Sequence, residues 1–301
     1  MRIGIDLGGT KIEGIVMGPG SEILQRVRVN TPQGDYTGTV AAVVDLIHRL
    51  EELAGQKDLR VGLGHPGSVS PVNGLMRNSN SVCLNGKPLQ RDLEALLGRG
   101  IRMTNDANCL ALSEASDGAA AGARSVFAVI LGTGVGGGVV INGELLMGAN
   151  GIAGEWSHNP LPWPRPEVNE ATGTQCWCGK QSCIETWLSG VGLAEDHARV
   201  TQEKISGEEI VARAEAGDER CGATLSRYED RLSRSLAQII NVLDPEVVVL
   251  GGGVSRVQRL YRYVPALWDE WIFSDIITTK LVPAMHGDSS GVRGAAWLWP
   301  E

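Results

Sequence analysis

The period of the apolar positions changes in an ordered way along the chain. Residues 2–6 and 12–17 read as short buried strands, with Gly8-Gly9-Thr10-Lys11 turning between them, and a third strand fits about 22–30. From Thr37 to Leu53 the spacing becomes helical, with Val40, Val43, Val44, Ile47 and Leu50 on one face. A strand at Val61–Gly64 follows and ends at Pro66-Gly67. A helix near 89–97, a strand near 101–104 and a helix from about 107 to 121 come next.

The same order then begins again. Ser125–Leu131 reads as a strand, residues 132–138 as a glycine-rich turn and Val139–Ile141 as a strand. Two strand–turn–strand units about 125 residues apart suggest an internal duplication. Prolines at 160, 162, 164 and 166 predict an irregular loop. Later come a long amphipathic helix over 219–243 stopped by Asp244-Pro245, a strand at 246–250 turning at Gly251-Gly252-Gly253, a strand near 277–282 and a helix over 290–299. This alternation predicts an α/β protein. The reading gives an N-terminal domain, 1–121, completed by a C-terminal helix, 288–301, and a second domain, 122–287.

A chain of 301 residues is long enough for two such domains. Its net charge of −8 disfavours nucleic acid or an anionic membrane as partner. No run of 18 apolar residues predicts a membrane span, and a charge at position 6 interrupts any signal-peptide core, so a cytoplasmic location is expected. Of six cysteines, Cys176, Cys178 and Cys183 are clustered, whereas Cys83, Cys109 and Cys221 are scattered and read as small buried residues.

The cluster is the most specific chemical signal. C-x-C-x₄-C with His158 upstream offers three thiolates and an imidazole, a closed tetrahedral set for structural Zn²⁺. His197 and His286 are rival fourth ligands. Glu155 and Glu185 flank the cluster. Elsewhere, Asp6 with Gly8, Gly9, Thr10 and Lys11 forms a turn whose bare amides suit an oxyanion, and Asp6 can hold Mg²⁺ through water. Gly132, Thr133, Gly134 and Gly136 form a second such turn; a β-branched run follows it, which disfavours a dinucleotide fold. Gly251, Gly252 and Gly253 could admit an adenosine against bare backbone. Each of these is also readable as a plain turn. Asp106 is either an N-cap or a general base, with Asn105 orienting a hydroxyl. Lone His65 reads as structural more readily than catalytic.

Together these motifs resemble the ROK family (repressor, ORF, kinase) over essentially the whole chain. Gly154–Trp163 and His286–Trp297 look like its bacterial manno(fructo)kinase branch. The resemblance implies an actin-like, ribonuclease-H-like fold of two α/β domains with a cleft between them. It implies ATP, Mg²⁺ and a hexose as ligands, a homodimer, and phosphorylation of the sugar 6-hydroxyl. Asp106 is then the base, and Asn80, Asn105, Glu155, His158 and Glu185 contact sugar hydroxyls. His158 would also ligate zinc with Cys176, Cys178 and Cys183. Fructose is the expected sugar, with mannose and glucose as secondary substrates; the alternatives are an N-acetylhexosamine kinase or a glucokinase. A sugar-responsive repressor would need a DNA-binding segment ahead of the first strand, and a non-catalytic sugar-binding module would not need Asp106. Three positions depart from the family pattern: Ser182 for a glycine, Ser157 for a frequent glycine, and His65 at the variable place of G-x-P-G, where it is a candidate for tuning sugar choice.

Overall fold

The first two apolar runs pair as a hairpin. β1 (Arg2–Leu7) and β2 (Lys11–Met17) are antiparallel with Leu7 opposite Ile12, and the Gly8 amide donates to the Lys11 carbonyl at 3.0 Å. The chain continues through β3 (Ile23–Asn30), α1 (Tyr36–Ala54), β4 (Arg60–His65), the small hairpin β5 (Ser68–Val69) and β6 (Met76–Arg77), α2 (Leu89–Leu97), β7 (Arg102–Asn105) and α3 (Asp106–Ser116). The first sheet has the order β3-β2-β1-β4-β7. In it β1, β4 and β7 run parallel, with Asp6 beside Gly64 and His65 beside Asn105. The register therefore brings the carboxyl ends of three neighbouring strands level, the edge at which α/β sheets bind ligands. On one face, Ile3, Ile5, Leu7 and Leu63 pack against Val43, Ile47 and Leu50 of α1.

Beyond α3 come β8 (Ser125–Leu131), β9 (Val135–Ile141), β10 (Glu144–Leu145), α4 (Glu185–Leu188), α5 (Gly190–Thr201), α6 (Gly207–Glu215), α7 (Glu219–Leu243), β11 (Val247–Gly251), α8 (Leu260–Ala266), β12 (Lys280–Pro283) and α9 (Ser290–Trp297). The second sheet has the order β10-β9-β8-β11-β12, with β11 parallel to both β8 and β12. Asp218 caps α7 by accepting from the Arg220 and Cys221 amides, and the helix buries Leu225, Tyr228, Leu232 and Leu236.

This computed structural model describes residues 1–170 and 172–300. Its chain divides into two units. One comprises Met1–Gly122, Gly138–Ala153 and the segment from Met285 on; the other comprises Ala123–Gly137 and Gly154–Ala284. Residues 138–153 thus group with the first unit, where the sequence reading had them in the second. Met147 explains the grouping, since its sulfur lies 3.8 Å from Thr104 Oγ1 and 3.9 Å from Asn108 Nδ2.

Several boundaries differ from the sequence reading. β9 starts at Val135, so Gly136, Gly137 and Gly138 belong to the strand rather than the turn. α3 stops at Ser116 rather than 121, because the chain folds back onto the buried Glu114, whose carboxylate accepts from the Ala119 amide at 2.8 Å. That carboxylate also accepts from the Met285 and His286 amides and the Ser290 hydroxyl, which seats the start of α9. The final helix ends at Trp297, and Glu301, the expected end of its segment, lies outside the described residues. Helices α4, α5, α6 and α8 were not anticipated. Among the described residues, no helix is long and apolar enough to cross a membrane.

The other face of the first sheet receives α9 at backbone distance. A Cβ at Gly4 would stand 2.1 Å from the Val292 carbonyl oxygen, and one at Gly62 would stand 1.8 Å from that of Ala295. Gly294 meets α3 in the same way, its absent Cβ lying 1.7 Å from the Cys109 carbonyl oxygen. Gly294→Ala should therefore lower unfolding stability by about 3 kcal/mol or more, since backbone on both sides leaves the methyl no room. Denaturant titration checks this; a variant as stable as the parent would mean that α9 is not seated there.

Candidate functional site

In the first unit the structure collects Asp6, Asn105 and Asp106 at the level carboxyl ends of β1 and β7. Asn105, not Asp106, is the N-cap of α3: its Oδ1 accepts from the Asn108 amide at 2.8 Å. Asp106 is the first helical residue, exposed, with Oδ1 accepting from the Ala107 amide at 2.8 Å. Asp6 is far less accessible, and Gly291 in the first turn of α9 lies so close that a Cβ there would be 3.1 Å from its Oδ2. Burial, then the charge of Asp106, then that of Glu13, push the Asp6 carboxyl up to about 7.

The glycine turn is braced by side chains that the sequence reading missed. Thr31 Oγ1 donates to the Gly8 carbonyl at 2.8 Å, and Gln33 Nε2 donates to that of Gly9 at 3.1 Å. A cavity of about 410 Å³ opens beside this turn, lined by Gly9, Thr10, Thr31 and Asn80 among others. Asn80 is exposed, and its neighbour Ser79 is pinned on both backbone groups by the Asn85 amide side chain. Lys11 is exposed at the start of β2. His65 is 2% exposed, on the sheet face opposite Asp6. Its Nδ1 lies 3.2 Å from the Pro66 carbonyl, and burial lowers its pKa to about 4. It is therefore a neutral, buried ring, which removes it as a direct reader of sugar.

In the second unit the four proposed metal ligands meet. The ligand atoms of His158, Cys176, Cys178 and Cys183 all lie within 4.8 Å of one another, with Cys178 Sγ to Cys183 Sγ at 3.6 Å and Cys176 Sγ to His158 Nδ1 at 3.7 Å. Those separations suit a tetrahedral Zn²⁺ with its short sulfur and nitrogen bonds. The rivals are engaged elsewhere: His197 Nδ1 faces Thr224 Oγ1 at 2.9 Å, and His286 Nε2 faces Asp117 at 3.0 Å. Backbone pairing of Pro160 with Cys183 and of Gln175 with Gln181 shapes the loop. Ser182 does occupy the left-handed region, at φ 57°, and its Oγ accepts from the indole of buried Trp187 at 3.1 Å. Ser157 is buried.

Glu155 and His158 stand three residues apart at one 3₁₀ turn, 156–158. Glu185, the first residue of α4, accepts from the Val135 amide through Oε2 at 3.0 Å and from Trp177 Nε1 through Oε1 at 2.6 Å. The second glycine turn is joined to α5 by the Gly190 amide, which donates to the Gly132 carbonyl at 2.8 Å. A larger cavity, about 1050 Å³, is lined by Gly132, Thr133, Gly253, Val254, Lys204 and Arg256 among others. Gly134 instead borders Glu185, while Gly136, Gly251 and Gly252 do not line this cavity. Gly136 is a strand residue whose carbonyl accepts from Trp156 Nε1 at 3.2 Å, and Gly251 is the buried end of β11. Gly252 turns at φ 84° against the backbone of Leu131. Of Gly251, Gly252 and Gly253, Gly253 alone lines this cavity.

The profile of the ROK family matches residues 2–301. An N-acetyl-D-glucosamine kinase of Photobacterium profundum is 40% identical over 304 residues, covering 99% of each chain. A ROK hexokinase structure from Thermus thermophilus superposes with a TM-score of 0.86 at 32% identity, over 98% of this chain and 96% of that one. A ROK family glucokinase from Streptomyces griseus, in complex with glucose and AMPPNP, gives 0.79 at 28% identity over 99% and 98%. The α/β fold with its mixed sheets is thus the actin-like ATPase fold of such kinases.

The raised Asp6 carboxyl has a measurable consequence. Its folded pKa lies above the ordinary value of 3.8, so the folded state binds more protons than the unfolded one between that value and about 7. Stability falls as pH rises through this window. Without divalent cation, Asp6→Asn should gain on the order of 1–3 kcal/mol at pH 8 and almost nothing at pH 4. Urea unfolding at the two pH values checks it; equal effects at both would place the proton elsewhere.

Proposed function

Because the chain belongs to the ROK family and is a sugar kinase of it, we propose that it transfers the γ-phosphoryl group of ATP to the 6-hydroxyl of a hexose, N-acetylglucosamine foremost. The observation that supports this best is the exposed Asp106 carboxylate, set at the end of a strand beside Asn105 and level with Asp6 and the first glycine turn.

In this reading Asp106 accepts the proton of the 6-hydroxyl as that oxygen bonds to the γ-phosphorus and the bond to ADP breaks. Asn105, with its Oδ1 committed to the helix cap, presents its amide N–H groups to the sugar. Asn80, Glu155, His158 and Glu185 are the further residues proposed to contact sugar hydroxyls. His158 Nδ1 faces the cysteines, so Nε2 is the nitrogen it has left for substrate. The amides of Gly9 and Thr10 and those of Thr133 and Gly134 would hold phosphate oxygens, with Lys11 adding positive charge, whereas the Gly8 and Gly132 amides close their turns by donating to the Lys11 and Gly134 carbonyls. The larger cavity takes the nucleoside against Gly253. Mg²⁺ entering with ATP would supply charge neutralisation at the phosphates, and Asp6 would hold it through water. Zn²⁺ would stay closed among His158, Cys176, Cys178 and Cys183 and keep the 158–185 segment in shape. Positioning and electrostatics then carry most of the rate.

N-acetylglucosamine is favoured by relatives near 40% identity that match the chain end to end. A second reading, fructose, is supported by the segments Gly154–Trp163 and His286–Trp297, which resemble manno(fructo)kinases.

Asp106→Asn should lower kcat by on the order of 10²–10⁴ with circular dichroism and metal content unchanged. Near-parental turnover would remove the base from the mechanism. The sugar is decided by kcat/KM across N-acetylglucosamine, N-acetylmannosamine, fructose, mannose and glucose in an ATP-consumption assay. N-acetylglucosamine should lead; a clear lead for fructose would replace it, and no turnover on any sugar would sink the assignment.

A further inference from the structure

Trp177 stands between two of the clustered cysteines and is 65% exposed, yet its indole is not idle. Its N–H donates to Glu185 Oε1 at 2.6 Å, a short bond of the charge-assisted kind. The opposite oxygen, Oε2, takes the Val135 amide at 3.0 Å, an approach open only because Gly134 has no Cβ, which would sit 2.7 Å from it. The carboxylate is therefore gripped from both sides, by a residue eight positions upstream and by one fifty positions upstream. The indole also meets the His158 ring edge to face, with centroids 5.1 Å apart and planes at 86°. Cys176 Sγ lies 3.9 Å from Oε1. With zinc bound, Cys176 would be a thiolate without a proton to give, and the Trp177 N–H would be the side-chain donor to that oxygen.

We infer that Trp177 is a positioning residue for the acceptor sugar: its indole N–H holds Glu185 in one rotamer, with lone pairs aimed at the hydroxyls. This rests on the proposed role of Glu185 as a sugar contact. A glutamate fixed at both oxygens meets the sugar without first losing rotamer freedom, so the benefit falls on sugar binding rather than on the phosphoryl step.

The test compares Trp177→Phe, which keeps a ring against His158 and removes the N–H, with Glu185→Gln, using the sugar of highest kcat/KM. In Trp177→Phe, KM for sugar should rise roughly three- to tenfold, while kcat and KM for ATP stay within about twofold. Calorimetric titration with sugar alone should show the same weakening, and zinc per chain should equal that of the parent. Parental sugar affinity in Trp177→Phe, with affinity lost in Glu185→Gln, overturns the inference alone. Parental affinity in both overturns the reading of Glu185 as a sugar contact as well. Zinc loss in Trp177→Phe also overturns the inference, because the residue would then act through the metal cluster.

Discussion

Two carboxyl groups of the first unit lie in one another's field, and the chemistry of the site follows from that. Asp6 is covered by the first turn of α9, whereas Asp106 is exposed on the first turn of α3. Burial and the neighbouring charge together push Asp6 to about 7. Such a pair is expensive in an empty protein near neutral pH and inexpensive beside a divalent cation. On the proposed function the cation arrives with the nucleotide, so the arrangement favours the loaded state. Asp6 is thereby suited to metal, and Asp106, open to solvent and outside that cover, to the proton of a sugar hydroxyl.

The second unit holds its acids by a different means. Glu185 is fixed by an amide, an indole and a glycine that makes room, and Glu155 shares a turn with His158. The surrounding loop has little regular structure of its own. It is tied down by the Cys/His cluster and by a buried ionic group in which Glu170 pairs with Arg231 at 2.7 Å and with Arg234 at 2.9 Å. Arg234 also donates to the carbonyls of Pro162 and Trp163. Buried charges cost too much to leave unpaired, so this group fixes the loop's path even where it adds little net stability. Ser182 fits the same picture: its left-handed backbone costs on the order of 1 kcal/mol, but its hydroxyl satisfies a tryptophan N–H that would otherwise be buried without a partner.

Strongly periodic and motif-bearing segments were legible in the sequence. The hairpin around Gly8–Lys11, the faces of α1 and α7, and the His158–Cys183 ligand set could all be read from residue type and spacing. What could not be read depended on partners distant along the chain. Gly136–Gly138 look like a turn, yet they lie in β9; the bare edge of Gly137 lets Trp156 pack, since a Cβ there would fall 2.8 Å from the indole. Helix α5 opens on Gly190 and Gly192, and α8 contains Pro265, so neither shows a clean helical period. His65 in a polar-looking motif turned out to be a buried neutral ring, because strand alternation put it on the face of Leu63. Trp177 carried no signal, since only its folded position beside Glu185 gives its N–H a task.

The sugar was the least legible feature, and the division of labour in the molecule explains why. On the proposed function, phosphoryl transfer would draw on backbone amides of the two glycine turns, the Asp106 carboxylate and bound cations, features that do not depend on which sugar is bound. Discrimination between a 2-hydroxyl and a 2-acetamido group depends on a few side chains at the far end of the sugar and on how firmly they are held. One substituent in such a pocket shifts selectivity by only a few kcal/mol. A residue such as Trp177 can alter that balance through a single hydrogen bond while every motif that identifies a sugar kinase stays intact. Similarity of about 40% over the full chain therefore secures the sugar kinase reaction, while the choice of sugar rests on the few side chains proposed to contact it.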